Sequence, residues 1–239
     1  MTLTRTNARF TQTSYTLIGA LHDDRYSAKA IEELMRIYWP AVYAYLRRNG
    51  HGRDEAAELT QSFFHKKVLN GQLFERFDVE RGRLRSLILR SLKNHLVDEH
   101  RAQVVRGKQA RVTLDLNQVE EGFDANQNPD DLFEQRWATA QLEEAVRRCE
   151  QYFRRSGRDG HWDAFCDRIY HPTINNTTPT AYAELAPRLG FRNAADTAAA
   201  VQLVKRRVMA FLREVVLDTT QESQDSQDEF DRMMRRLGV

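Results

Sequence analysis

The chain has 239 residues, 41% hydrophobic and 29% charged, which is enough apolar material for one large or two small domains and argues against wholesale disorder. No run of about 18 apolar residues occurs, which excludes a membrane-spanning helix, and the opening MTLTRTNARFTQTS lacks an apolar h-region, so it is not expected to be a secretory signal. The net charge of +2 conceals a segregation by sign: residues 81–111 hold nine Arg or Lys against Asp98 and Glu99, whereas residues 112–135 hold seven acids and no base. A second basic cluster, Lys205, Arg206 and Arg207, precedes an acidic tail between Asp218 and Asp231. Such blocks suit polyanion-binding patches separated by solvated connectors, although each alone also reads as a solvated helix face. Cys149 and Cys166 have no CxxC spacing, so neither a disulfide framework nor a zinc site is expected, and a reducing cytoplasm is the simplest setting.

Residues 1–13 read as a flexible, mildly basic arm. Ile31, Leu34, Met35, Tyr38, Val42 and Leu46 recur at helical steps, predicting a helix over 27–49, bent near Pro40 and stopped at Gly50. A second helix is expected over 54–69, with Ala56, Leu59, Phe63 and Val68 inward, acids at its start and Lys66 and Lys67 at its end. After a loop, 70–82, a third runs over 83–103 on the stripe Leu84, Leu87, Ile88, Leu92 and Leu96. These three form a compact bundle. The acidic segment up to residue 130, with Pro129, reads as a linker. Helices resume over 131–155 and 161–170, and a polar separator spans 172–179. A short helix over 180–188, a turn at Leu189-Gly190-Phe191 and a longer basic helix over 194–217 give a helix-turn-helix pattern. A small helix over 229–237 closes the chain. The expected fold is all-α: a bundle domain at 14–105, a linker at 106–130, a helix-turn-helix domain at 131–217, and an acidic tail at 218–239.

Three runs carry a resemblance: Asp54 to Phe64 (DEAAELTQSFF), Phe77 to Leu87 (FDVERGRLRSL) and Leu92 to Asp98 (LKNHLVD). They resemble region 2 of extracytoplasmic-function sigma factors of RNA polymerase. Tyr182-Ala183-Glu184-Leu185-Ala186 through Leu189-Gly190 to Lys205-Arg206-Arg207 is similar to their region 4, and Thr13 to Ile18 with Phe211 to Val216 is similar to a subgroup often found beside Ser/Thr kinases. The resemblance covers about residues 13–217. It implies a bacterial, cytoplasmic initiation factor without cofactor or metal, which is not an enzyme. Its implied partners are core RNA polymerase, promoter DNA, and a Ser/Thr kinase or anti-sigma protein, with no membrane.

Residue by residue, the resemblance implies that Asp54, Glu55, Glu58, Thr60 and Gln61 face the clamp coiled coil of the largest polymerase subunit. Ala57 stands where many members carry a polar or acidic residue. Thr60 is a candidate phosphosite, since a phosphate would add about −1.5 to −2 charges and supply the potential that Ala57 omits. For the −10 element, Phe77, Asp78, Arg81 and Arg83 would rim a pocket for a flipped base, with Phe77 equally placed to be core. Arg85, Arg90, Lys93, Asn94 and Arg101 would follow the single strand, Asn94 reading a base edge. For the −35 element, Arg192, Asn193, Thr197 and Gln202 would reach bases and Lys205 and Arg206 phosphates. The alanine-rich stretch there predicts weak sequence reading, and alanine also simply suits a helix.

Two other readings compete: a helix-turn-helix regulator that works without polymerase, and a sigma-like adaptor that no longer initiates transcription. A metal hydrolase is disfavoured because His95 and His100 are five apart, which does not place them on one helical face, and no GxGxxG, GxxxxGK[ST] or GxSxG motif occurs.

Overall fold

The computed structural model describes residues 27–70, 73, 84–105, 128–217 and 230–235, with 27–30 and 217 as backbone alone. Among the described residues the regular structure is helical and no strand occurs. The helices are α1 (Ser27–Arg48), α2 (Arg53–Phe63), α3 (Leu84–Val105), α4 (Pro129–Arg155), α5 (Asp159–Phe165), α6 (His171–Asn175), α7 (Tyr182–Arg188) and α8 (Ala194–Leu217). Residues 230–235 are also helical, inside the span expected for the last helix. The arm 1–13, most of the loop 70–82, the linker up to 127 and the start of the acidic tail lie outside the described residues. None of the described helices is long and apolar enough to cross a membrane.

Contacts divide the chain into two compact units, Met1–Ala140 with Val216–Val239, and Gln141–Val215. The division therefore falls inside α4 and α8. The reason is packing at the start of α4. Leu132, Phe133 and Trp137 are buried with the first unit, and such side chains contribute about 1.5–3 kcal/mol each when fully buried. The start itself is also two residues earlier than expected. Pro129 is the first helical residue, where its missing N–H costs nothing. Asn128 caps the helix: its Oδ1 accepts from the Asp130 N–H at 3.0 Å and its carbonyl from Leu132 at 3.0 Å.

In the first unit, α1 contributes Leu34, Tyr38, Val42 and Leu46 to the core and continues through Pro40 as helix. Gly50 ends it with φ 88°, a left-handed conformation that lets the His51 N–H reach the Leu46 carbonyl at 3.3 Å and the Gly50 N–H reach Arg47 at 3.2 Å. The helix α2 continues as a π-helical turn, Phe64–Leu69. Phe63, Phe64 and Val68 are all buried there, Phe64 stacking on Trp39 at 5.4 Å. From α3 come Leu84, Ile88, Leu92 and His95. Burial pushes the His95 pKa down, so it is a neutral core residue whose ring lies 5.8 Å from that of Phe63.

The second unit is built around Cys149 and Phe153 of α4, Trp162 and Phe165 of α5, and Val201 and Val204 of α8. Here α5 also widens into a π-helical turn, Cys166–Tyr170, before α6. The His171 N–H bonds to the Cys166 carbonyl, five residues back, and the Phe165 and Tyr170 rings stack at 6.5 Å. The polar separator expected from 172 is thus partly helical, and the irregular stretch begins at Asn176 (φ 51°).

Candidate nucleic-acid and partner interface

The exposed side of α2 bears Asp54, Glu55, Glu58 and Gln61, with the two first-turn acids where the helix dipole favours negative charge. Glu55 also pairs with His51 at 3.2 Å. Beside this face lies a groove of about 360 Å³ lined by His51, Glu55, Leu59, Leu96, Val97 and His100. Thr60 is not on that surface. It is fully buried, and its hydroxyl donates to the Ala56 carbonyl at 2.7 Å, so a kinase has no access to it in the folded helix. The phosphosite expected at Thr60 is corrected on this ground: Thr60 follows Leu59 onto the inner face.

The single-strand track expected on α3 separates into two faces. Arg90, Asn94 and Arg101 recur at four- and seven-residue steps and are exposed together. Arg85, Leu89 and Lys93 form the neighbouring stripe, which meets the first turns of α4. Arg85 Nε lies 3.1 Å from Glu134 Oε2, with only 11% of the arginine side chain exposed, and its guanidinium sits 4.7 Å over the Trp137 ring. Lys93 Nζ donates to Asp130 Oδ2 at 2.7 Å, and this hydrogen bond raises the lysine pKa. Arg85 is therefore a packed residue and not part of an open track. Phe77, Asp78, Arg81 and Arg83 lie outside the described residues.

In the second unit α7 is followed by the turn 189–193 and then by α8. Gly190, at φ 75°, permits the turn, and the Phe191 N–H closes it on the Ala186 carbonyl at 2.9 Å. Gly160 of α5 passes under this turn so closely that a Cβ would lie 2.9 Å from the Leu189 carbonyl oxygen. His161 fills the space next to it, stacked on Phe153 (6.1 Å) and edge-on to Phe191 (5.4 Å). Burial and the Arg158 charge lower its pKa. No family model, curated protein or solved structure matches the chain.

The N-terminus of α8 is organised by its own side chains. Asn193 Oδ1 accepts the Asp196 N–H at 2.9 Å, and Arg192 Nε pairs with Asp196 Oδ2 at 2.7 Å. Thr197 is fully buried and donates its hydroxyl to the Asn193 carbonyl at 3.1 Å. It cannot reach a base edge, which corrects that expectation. Arg192 (87% exposed), Asn193, Gln202, Lys205 and Arg206 do face outward, in line with Ala195 and Ala199. Arg207 turns aside onto the Tyr152 ring at 4.3 Å, donating to its hydroxyl at 3.0 Å.

The residues that sequence reasoning missed are the acids Asp130, Glu134 and Asp196 that engage three of the predicted cations. The signal for the first two was present, since an acid block adjoins a basic block, but it was read as a connector. Among the described residues no three His, Cys, Asp or Glu side chains converge as a metal site.

Proposed function

We propose that this chain is a sigma-type initiation factor that binds core RNA polymerase through the acidic face of α2 and engages promoter DNA with α3 and α8. The observation that carries the reading is the short helix, glycine turn and longer helix of the second unit, the last directing Gln202, Lys205 and Arg206 outward from an inner face packed by Val201, Val204 and Val208. A helix of this kind fits the major groove with cations flanking it for phosphates. The region 2-like runs of the first unit, and the outward Asp54, Glu55 and Glu58 on α2, extend this from DNA binding to polymerase binding. In vitro transcription with core polymerase, on DNA upstream of the chain's own gene, tests it. Start-site-specific transcripts are expected only when the protein is added, and Glu55→Lys with Glu58→Lys should abolish both the transcripts and co-purification with core enzyme. A protein that neither binds core enzyme nor yields transcripts refutes the reading.

The engagement of Arg85 and Lys93 by acids favours one second reading, in which α8 alone binds DNA and the protein is a regulator independent of polymerase. Duplex binding without any retention on core polymerase distinguishes it.

A further inference from the structure

We propose that the acidic first turns of α4 are an internal competitor for nucleic acid, with Asp130 and Glu134 occupying the cations of α3 that would otherwise hold a DNA backbone. Arg85 and Lys93 are eight residues apart on one side of α3, and each meets a carboxylate from α4 at hydrogen-bonding or ion-pair distance. Asp130 and Glu134 are four apart on one side of α4, and the long side chains of Lys93 and Arg85 each reach one of them. A carboxylate resembles a phosphate in its oxygens and charge, and both take the same donors. That side of α4 is held in place by Leu132, Phe133 and Trp137, which are buried, and by the Asn128 and Pro129 start of the helix. A cleft of about 250 Å³ flanks the seam, lined by Arg85, Asp131, Glu134, Trp137, Arg232 and Met233.

The two pairs differ in how readily they exchange. Lys93 and Asp130 are each nearly half exposed, so a phosphate can reach the ammonium with no change of fold. Arg85 and Glu134 are mostly covered, so Arg85 becomes available only when the first turns of α4 lift. The pairing thus grades access to α3: Lys93 is contested, while Arg85 is withheld. The inference rests on the proposed role of α3 in DNA binding.

The test is a double-mutant cycle on the full chain, read as affinity for a dT oligonucleotide against salt concentration. Asp130→Asn with Glu134→Gln keeps the shape of both side chains and removes both charges. Each further phosphate that the protein neutralises on a single strand steepens the slope of log K against log salt by about 0.7. The double variant should therefore steepen it by about 0.7–1.4 and bind about 5- to 25-fold tighter at 0.1 M salt. Lys93→Gln should lower the affinity of the double variant several-fold more than it lowers that of the wild type. If the double variant does not fold by circular dichroism, Asp130→Asn alone, at the exposed pair, carries the same prediction at half the size. Unchanged slope and affinity, or tighter binding that Lys93→Gln does not reverse, overturns the inference. That result leaves the initiation-factor reading intact if core polymerase is still bound, whereas failure of the wild-type chain to bind core enzyme overturns that reading instead.

Discussion

Replacing Gly160 by alanine is a test of how tightly the turn between α7 and α8 is seated on α5. The added Cβ would lie 2.9 Å from the Leu189 carbonyl oxygen and 3.8 Å from both the Leu189 Cβ and the Phe191 ring. The nearest atom is backbone and cannot swing away, so either the turn or α5 must shift. Overpacking of this kind costs about 1–3 kcal/mol. Alanine in a helix recovers about 0.5–1 kcal/mol relative to glycine. The net loss should centre on about 1.3 kcal/mol and not exceed about 2.5 kcal/mol, which in a unit the size of Gln141–Val215 lowers the Tm by roughly 5–10 °C at that centre. Differential scanning calorimetry of the full chain measures it. Gly52→Ala is the control, because nothing lies within 4 Å of a Cβ there and its effect should stay below about 1 kcal/mol. A Gly160→Ala protein that melts like the wild type would refute the close approach of α5 to the turn.

Thr60→Val removes one buried hydroxyl bond and should cost about 1 kcal/mol or less, whereas Thr60→Glu buries a charge with no partner and should cost more than about 3 kcal/mol; urea unfolding distinguishes them, and equal midpoints would contradict the burial of Thr60. Burial pushes the Cys149 and Cys166 thiols up to about 12, so neither should react with a thiol reagent at about pH 8 in the native protein, and both should on addition of denaturant. His161 has a folded pKa below its ordinary value, so the unfolded chain binds the proton more tightly. The stability it contributes is complete above about pH 6.5 and falls as pH drops below that value. His161→Phe, which keeps the ring stack, should flatten this acid-side slope in a pH series of unfolding curves, and an unchanged slope would exclude His161 as its source.

The periodic segments were legible because their apolar stripes face a core: α8 spans 194–217 as predicted, α1 ends one residue early, and α2 starts one residue early and reaches Leu69 only through its π-helical turn. What escaped was local chemistry with two uses. Asn128 and Pro129 suit a loop as well as a helix start, and only the burial of Leu132 and Phe133 decides for the helix. Thr60 and Thr197 are polar by composition, but each satisfies its hydroxyl on a carbonyl four residues back and so can turn inward. Arg85 belonged by charge to an open track. Its flat guanidinium instead found a ring and a carboxylate on α4, a long-range pairing that no spacing rule anticipates.

The two π-helical turns each contain one residue more than an α-turn needs. Phe63 and Val68, five apart, share the interior across the first, as the Phe165 and Tyr170 rings meet across the second. These sites are slack in the chain's length. Removing the exposed His65 would bring Phe63 and Val68 to four apart, the ordinary helical repeat, and leave both facing the same way. Homologous chains shorter by one residue at either site would thus keep the same interior, and an alignment that forbids gaps within helices would mispair every position downstream.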